Sequence, residues 1–443
     1  MKRSRTSCLL ASCAAMMLIA APSAFAQIET TALDRGSDNM TVEGHLPLGA
    51  AFTVMDMEVE QEMSRPYAYI SRGTVGSATD RGTDIVDISD PSAPKVIKRW
   101  RMENPELHTG LGGMDIKYFK WAGRYYVVQS TQFGPGPNND LGAYILDVTG
   151  LPDPDKVFEV ARIHEPELPG GFHNIFIYKH SDGRVILLTT IGGEGANMYD
   201  LGKAVTGDVE NALIGNIPNG SGQGGYHDMY AAWHPDSEQD RYYGGGGGGY
   251  YVYNITDTEN PVLEFSMTGI TGVAWGHTFT PSPDGRYAIT ETEYQYAPLR
   301  MFDMKPGNDG ETENIRSPIS AWTANWKNLV HNHEVRWPFV FVSGYHDGLQ
   351  IFSMMDPHNP QTVGYYDTYI GSREAGVMGG AVGNGAFGVD VRNEDGLILI
   401  SDISTGLWTF RMEGFNGWNG EDWGQPDISS VQKWDEESKE GTK

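Results

Sequence analysis

Cysteine is nearly absent from the 443-residue sequence, which holds only Cys8 and Cys13, both close to the N-terminus. The rest of the chain therefore has no disulfide, no thiolate metal ligand and no cysteine nucleophile. No apolar run of about 18 residues or more follows the first 26 residues, so the sequence predicts no transmembrane helix. Neither a G-x-S-x-G elbow nor an H-E-x-x-H motif occurs, which argues against an ordinary serine hydrolase or metalloprotease.

Basic residues are also scarce, since 32 lysines and arginines stand against 58 acidic residues and give a formal charge of −26. Such a surface repels nucleic acid and anionic membranes, so neither is expected as a partner. It favours neutral or cationic ligands, although a solubilising role alone would also account for it.

The N-terminus has the pattern of a secretory signal peptide spanning residues 1–26. Basic residues precede an apolar run from Cys8 to Ala21, and residues 24–26 read Ala-Phe-Ala, a typical cleavage site. Lipoprotein processing at Cys13 is the alternative. We expect a periplasmic or secreted protein whose mature chain begins near Gln27.

A repeat with two landmarks runs through the rest of the chain. Each unit begins with a strand-like segment followed by a small or acidic polar residue, and each ends in a β-rich run with an Asp-like turn. The first landmark recurs at intervals of 50 to 59 residues at Met55, Met114, His173, His227, His277, His333 and Val389. Repeats of this length with several short strands are typical of radial β arrays.

These units predict an all-β fold, a seven-bladed β-propeller of four-stranded antiparallel blades over residues 27–413. The sixth unit shows the four strands most clearly, as HEVRW, PFVFVSG, DGLQIFSM and QTVGYYDTY. The seventh lacks an outer strand, which residues 40–50 can supply, closing the ring and removing an exposed edge. Residues 414–443 are predicted to form an acidic, partly disordered tail.

The unit endings DISDPSAP and FSMMDPHNP, with the strands before them, resemble those of the LVIVD-repeat proteins, which are extracytoplasmic β-propellers. The resemblance covers roughly residues 50 to 412, and units three and five depart from it by lacking the D-P-x-x-P ending. It implies the fold and the compartment but no particular reaction.

Four of the seven equivalent positions are histidines. The innermost strands of a propeller line its central channel, so equivalent positions converge on one axis. Imidazoles that converge in this way suit a divalent transition metal such as iron, copper or zinc. The predicted metal ligands are His173, His227, His277 and His333, with His331 as a weaker fifth candidate.

Glu334, Glu291 and His346 are the predicted proton-transfer residues at the same channel mouth, because His and Glu are the usual general acids and bases. Glu293, in the same TETEYQY segment as Glu291, is one of the other polar residues expected in the loops around this mouth. Together these residues indicate a metal-dependent enzyme, of oxidoreductase, oxygenase or lyase type, that acts on a small organic substrate. Two alternatives remain: the histidines are structural turn residues, or the propeller is a non-catalytic module that binds a protein or a glycan. The glycine run at residues 244–249 is expected to form a flexible loop near the channel.

Overall fold

The computed structural model describes residues 35–49, 52–73, 81–104, 108, 110–133, 140–165, 170–191, 195–220, 224–370, 384–423 and 434. From Gly36 onward these residues form one compact unit of seven four-stranded antiparallel sheets. Among the described residues, no helix is both long and apolar enough to cross a membrane. The predicted signal peptide, both cysteines and the cleavage site lie outside the described residues.

The sheets form the blades of a seven-bladed β-propeller, which confirms the predicted fold class. The first strand of the chain is β1 (Met40–Leu46). Blade one contains β2 (Val54–Val59), β3 (Tyr67–Arg72), β4 (Gly82–Asp87) and β5 (Lys95–Arg101). Blade two contains β6 (Gly110–Trp121), β7 (Arg124–Phe133), β8 (Leu141–Asp147) and β9 (Phe158–His164). Blade three contains β10 (Ile175–Lys179), β11 (Val185–Ile191), β12 (Gly195–Asp200) and β13 (Leu213–Ile217).

The remaining blades follow the same order from the channel outward. Blade four contains β14 (Tyr226–His234), β15 (Gln239–Gly246), β16 (Gly249–Asn254) and β17 (Val262–Thr268). Blade five contains β18 (Phe279–Pro281), β19 (Tyr287–Thr290), β20 (Leu299–Asp303) and β21 (Ser320–Trp322). Blade six contains β22 (Asn332–Arg336), β23 (Phe339–Ser343), β24 (Leu349–Ser353) and β25 (Gln361–Tyr366). Blade seven contains β26 (Ala386–Arg392), β27 (Leu397–Asp402) and β28 (Gly406–Met412), with β1 as its outer strand.

Helices are short and lie between strands. The α-helices are α1 (Leu201–Val205) and α2 (Lys305–Asn308), and 3₁₀ turns occur at Pro154–Lys156, Val209–Asn211 and Glu421–Trp423. The two α-helices follow the third strands of blades three and five, the two units whose endings depart from the repeat. The connections to the outer strands are therefore partly helical in these two blades.

The ring is closed by β1, as the sequence predicts. Its residues pair antiparallel with β28, from Met40 opposite Met412 to Leu46 opposite Leu407. On the other side of blade seven, Leu397 and Leu399 pack with apolar residues of blade one in a single buried cluster. The N-terminal strand thus covers an edge that would otherwise expose unpaired backbone groups.

The tail beyond residue 413 begins as packed structure. Phe415 and Trp418 are buried against blades six and seven, and the Trp418 indole donates a hydrogen bond to the Trp337 carbonyl at 2.7 Å. Further along, Trp434 contacts Tyr118 at a ring-centroid separation of 6.4 Å. Aromatic side chains therefore attach parts of this acidic segment to the propeller.

The closure predicts the effect of a small change in β1. A Cβ atom at Gly44 would lie 2.4 Å from the Pro91 carbonyl oxygen, which belongs to the turn between β4 and β5 of blade one. We expect Gly44→Ala to destabilise the fold by about 1 to 3 kcal/mol, because the backbone must shift to relieve the overlap. Urea unfolding measures this change. Thr41→Ala, at an exposed position of the same strand, is the control, and equal midpoints for the two variants would contradict the expected strain.

Candidate metal centre

Serine hydroxyl groups fix the register of the innermost strands. In three blades, a serine near the end of the second strand donates a hydrogen bond to a backbone carbonyl of the next blade. The residue that carries this carbonyl lies at the mouth of the channel, and we call its place the mouth position of its blade. The bonds run from Ser130 to His173 (3.1 Å), from Ser343 to Phe387 (2.6 Å) and from Ser401 to Met55 (2.6 Å). Each serine hydroxyl also accepts a hydrogen bond from a backbone N–H of its own blade, that of the residue directly after the mouth position. In blade six, the Ser343 hydroxyl accepts from the N–H of Asn332. The mouth position of blade six is therefore His331.

This register gives a ring of seven residues at the channel mouth: Met55, Met114, His173, His227, His277, His331 and Phe387. The ring contains three of the four predicted ligands, but His331 takes the predicted place of His333, and Phe387 that of Val389. In an extended strand, residues two apart point to the same side, so a slip of two positions leaves the sequence pattern unchanged. The four histidines occupy consecutive blades, three to six.

The four imidazoles form a row in which each ring touches the next. The ring centroids are 4.5 Å apart between His173 and His227, 4.2 Å apart between His227 and His277, and 5.3 Å apart between His277 and His331. The structure therefore brings three of the predicted ligands, His173, His227 and His277, together with His331 and not with His333.

Two histidines of the row and a nearby glutamate have the spacing of a metal site. Ligand atoms of His227, His277 and Glu293 all lie within 4.8 Å of one another. Among the residues that the structure describes, His227 Nδ1 and His277 Nε2 have no hydrogen-bond partner although both are buried, and His277 Nε2 lies 3.7 Å from a Glu293 oxygen. Unpaired buried nitrogen atoms are costly unless a ligand satisfies them. Two imidazoles and one carboxylate are a donor set that first-row metals accept.

Glu291 and Thr278 orient His277 from behind. His277 Nδ1 lies 3.1 Å from a Glu291 oxygen and 2.9 Å from the Thr278 hydroxyl, which leaves Nε2 facing Glu293. Burial alone would lower the pKa of His277, but the charge and hydrogen bond of Glu291 raise it to about 9. Burial in turn raises the pKa of Glu291 to about 7. A carboxylate behind a ligand imidazole is the usual support of such a ligand.

The other histidines of the row are held neutral. Burial lowers the pKa of His173 to about 4 and lowers the pKa values of His227 and His331 well below the usual range, and the charge of His277 adds to each effect. His173 and His331 each have one nitrogen fixed, the former by the Gln132 amide oxygen and the latter by a backbone carbonyl, both at 2.8 Å. Neutral imidazole is the form that binds metals, so binding of an ion by His277 would release the proton that it holds in the absence of metal.

Glu293 is held in place by Tyr345. The Tyr345 hydroxyl donates a hydrogen bond to Glu293, and the Tyr345 ring lies 5.4 Å from that of His331. Tyr345 has a φ of 44°, a conformation that is rare for a bulky residue and that is often kept at functional sites. Glu293 was predicted only as one of several polar residues in the mouth loops. Its neighbour Glu291 was the residue predicted to take part in proton transfer.

A cavity of about 380 Å³ opens beside the row of histidines. His173 and His227 form one side of it, while Tyr226, Ile191 and Trp275 contribute aromatic and aliphatic surface. Its volume lies within the range of sites for small organic molecules. A compound bound there would lie next to the imidazole of His227.

Glu334, His333 and His346 lie away from this centre. Glu334 and His333 line a separate cavity of about 40 Å³, to which the innermost strands of all seven blades contribute, and Glu334 is paired with Arg336 at 2.8 Å. His346 stacks on Tyr369 at a centroid distance of 4.3 Å. His333 lies outside the group formed by His227, His277 and Glu293, so we do not assign it as a ligand, although both of its ring nitrogens are buried without a hydrogen-bond partner among the described residues. Glu334 is engaged by Arg336 and His346 by Tyr369, so we do not assign these two as proton-transfer residues.

The glycine run forms part of a strand hairpin and not the expected loop. Gly244 to Gly246 end β15, and Gly249 begins β16. A Cβ atom at Gly245 would lie 1.9 Å from the carbonyl oxygen of His277. Glycine is thus required here because the backbone that carries His277 crosses at contact distance.

No protein-family model matches the sequence, and no curated protein matches it. The resemblance to the LVIVD-repeat proteins therefore stays a prediction. Among solved structures, the chain is similar to Raptor of Chaetomium thermophilum, with 10% sequence identity and a TM-score of 0.55. The match covers 85% of this chain but only 29% of that protein. A likeness at this level of identity establishes the β-propeller fold alone.

Proposed function

We propose that this propeller is a metal-dependent enzyme whose ion is bound by His227, His277 and Glu293 at the mouth of the central channel. The observation that supports the proposal is that ligand atoms of these three residues lie within 4.8 Å of one another, and that each of the two histidines has a buried ring nitrogen without a hydrogen-bond partner among the described residues. Three protein ligands leave coordination positions open, as catalytic sites require.

The donor set favours one reaction class. Two histidines and one carboxylate with open positions are typical of Fe(II) oxygenases, so oxidation of a small organic substrate is the reaction that we propose. Zinc is held by the same kind of donor set in some hydrolases, which makes metal identity the deciding measurement. The ion would supply oxygen activation in the first case and Lewis-acid activation of water in the second.

The chain itself supplies orientation and a partly enclosed site. Glu291 fixes the tautomer and the ring plane of His277, and Tyr345 restrains the carboxylate of Glu293. The cavity between His173 and Trp275 positions the substrate beside His227. Since His173 is neutral and donates through Nδ1 to the Gln132 amide oxygen, its other nitrogen can accept a hydrogen bond from a bound hydroxyl group.

An exported location is part of the proposal. The signal-like N-terminus, the acidic composition and the resemblance to LVIVD-repeat proteins all support a periplasmic or secreted protein. A ligand set without thiolate also suits an oxidising compartment, because nothing in it forms disulfides.

Metal content tests the centre directly. We expect about one equivalent of iron, or of zinc or copper, per chain in protein purified without chelator or affinity tag. His227→Ala, His277→Ala and Glu293→Gln should each lose most of it, because each removes one of only three ligands. Elemental analysis provides the measurement, and circular dichroism shows whether each variant is folded.

His333→Ala is the matched control, since it removes a buried histidine of the same channel that is outside the proposed ligand set. It should retain the metal. If His333→Ala lost the metal and His277→Ala kept it, the ligand assignment would be wrong. If the wild-type protein took up no metal on reconstitution, the proposed function would be wrong.

Tyr345→Phe tests the support of Glu293. Loss of the hydroxyl removes the hydrogen bond that restrains the carboxylate, and such outer contacts are worth about ten- to a hundredfold in metal affinity. Competition with a chromogenic chelator measures the change. Tyr365→Phe, at an exposed outer-strand position, is the control. If the two variants bound metal with equal affinity, Tyr345 would have no role in the centre.

A non-catalytic binding module is the second candidate, because one loop pair displays aromatic surface. Tyr296 and Trp326 are 57% and 51% exposed, and their ring centroids are 6.4 Å apart. Such a pair fits the face of a sugar ring. If the propeller is a glycan-binding module, the double variant Tyr296→Ser, Trp326→Ser should lose binding on a glycan array while His227→Ala retains it. Failure of the wild-type protein to bind any glycan would remove this candidate.

A further inference from the structure

The cavity beside the histidine row has uncharged walls. None of the described residues that line it is a lysine, an arginine, an aspartate or a glutamate, although charged residues make up 20% of the chain. The adjoining segments of the sequence, residues 166–169, 192–194 and 221–223, contain no lysine or arginine either. An anionic ligand would therefore lose its hydration without gaining a cation in return.

Two hydroxyl groups of the wall are already used within the protein. The Tyr226 hydroxyl donates to the Pro218 carbonyl at 2.7 Å. The Thr190 hydroxyl accepts from the Asn174 N–H at 2.9 Å and donates to the Asn174 carbonyl at 3.3 Å. Neither hydroxyl needs a ligand to satisfy it, so polar recognition in the cavity falls to other groups.

His173 offers a hydrogen-bond acceptor to the cavity that it lines. Its Nδ1 donates to the Gln132 amide oxygen at 2.8 Å, so Nε2 of the neutral ring carries no proton. Within the described part of the chain, no group donates to Nε2, and His173 is partly exposed. The Gln132 amide nitrogen also has no partner among these residues and keeps its N–H groups for an acceptor. A hydroxyl group, which both donates and accepts, complements the two side chains.

Trp275 and Ile191 give the same cavity an apolar surface, and the indole is held in one position. Its six-membered ring packs on Gly224, where a Cβ atom would lie 2.4 Å from the indole carbons Cη2 and Cζ3. Gly224 also has a φ of 69°, which favours glycine. A fixed indole beside an aliphatic side chain is a surface against which a planar ring packs well.

We infer that the ligand of this cavity is a small uncharged aromatic compound with a hydroxyl group, such as a phenol or a benzylic alcohol. The hydroxyl donates to His173 Nε2 and accepts from the Gln132 amide, while the ring packs against Trp275 and Ile191. The hydroxyl end then lies near His227, because the His173 and His227 ring centroids are 4.5 Å apart. An uncharged ligand also agrees with the acidic composition of the chain.

The inference deepens the proposed function by naming the substrate class of the same site, but binding through His173 and Trp275 needs no metal. The two can therefore fail separately. If the protein took up no metal and still preferred the hydroxyl compound, the proposed enzyme function would be wrong and the inference would stand. If it bound metal without that preference, the inference would be wrong and the metal centre would stand.

Phenol and anisole are suitable probes, because they share the ring and the oxygen and differ in the hydroxyl hydrogen. Phenol is uncharged at pH 7. We expect chelator-treated wild-type protein to bind phenol about three- to tenfold more tightly than anisole in isothermal titration calorimetry, since one neutral hydrogen bond separates the two. Benzoate and benzylamine should bind at least about tenfold more weakly than phenol, because the described lining residues pair with neither charge.

His173→Phe removes the acceptor and keeps an aromatic ring, so it should abolish the preference for phenol and leave the affinity for anisole unchanged. Gln132→Leu covers the case in which His173→Phe does not fold. It removes the group that fixes the His173 tautomer, so Nε2 can carry the proton and donate to anisole, and the preference should shrink. Trp275→Leu should weaken phenol and anisole binding by the same factor.

His346→Phe is the matched control, because it makes the same substitution at a buried histidine that stacks on Tyr369 outside the cavity. It should retain the preference for phenol. Three results would each overturn the inference: equal binding of phenol and anisole by the wild type, a preference that survives His173→Phe or Gln132→Leu unchanged, and tighter binding of benzoate or benzylamine than of phenol.

Discussion

The candidate centre depends on how neighbouring innermost strands are held in register. The serines that end the second strands of blades two, six and seven donate to the mouth residue of the following blade, and the closing bond joins blade seven to Met55. A slip in any one strand would move its mouth residue along the channel and leave a hydroxyl and a carbonyl unpaired in the interior. The hydrogen bond from Ser130 of blade two therefore fixes the position of His173 along the channel.

Blades four and five use a different solution. No serine stands at the equivalent point of β15; Gly245 occupies it, and the backbone of His277 crosses where a side chain would be. The closest histidine pair of the row, His227 and His277, spans the same junction between blades four and five, with centroids 4.2 Å apart. A glycine run that looks like a loop in the sequence thus lets the backbone of His277 pack directly against blade four, the blade that carries His227.

The fold could be predicted from the sequence because seven units repeat two landmarks, and the closure of the ring by residues 40–50 followed from counting strands. The candidate centre could be predicted only in part. Side chains two residues apart in a strand point to the same side, so the sequence pattern alone cannot tell whether His331 or His333 lies at the mouth. The hydrogen bond from the Asn332 N–H to the Ser343 hydroxyl distinguishes them. Glu293 was harder to identify, because it lies in a loop with no repeat partner and its role depends on Tyr345, which is 52 residues away.

The division of the mouth ring into four imidazoles and three apolar residues has a consequence for the position of an ion. A ring of seven equivalent ligands would favour the axis, whereas Met55, Met114 and Phe387 offer no hard donor and pack as a dry cluster. An ion bound by the proposed ligands would therefore lie off axis toward blades four and five, where Glu293 would contribute the negative charge that neutral imidazoles lack. The apolar residues exclude water from their side of the mouth, and the cavity beside His173 and His227 is the side from which a substrate would reach the proposed centre.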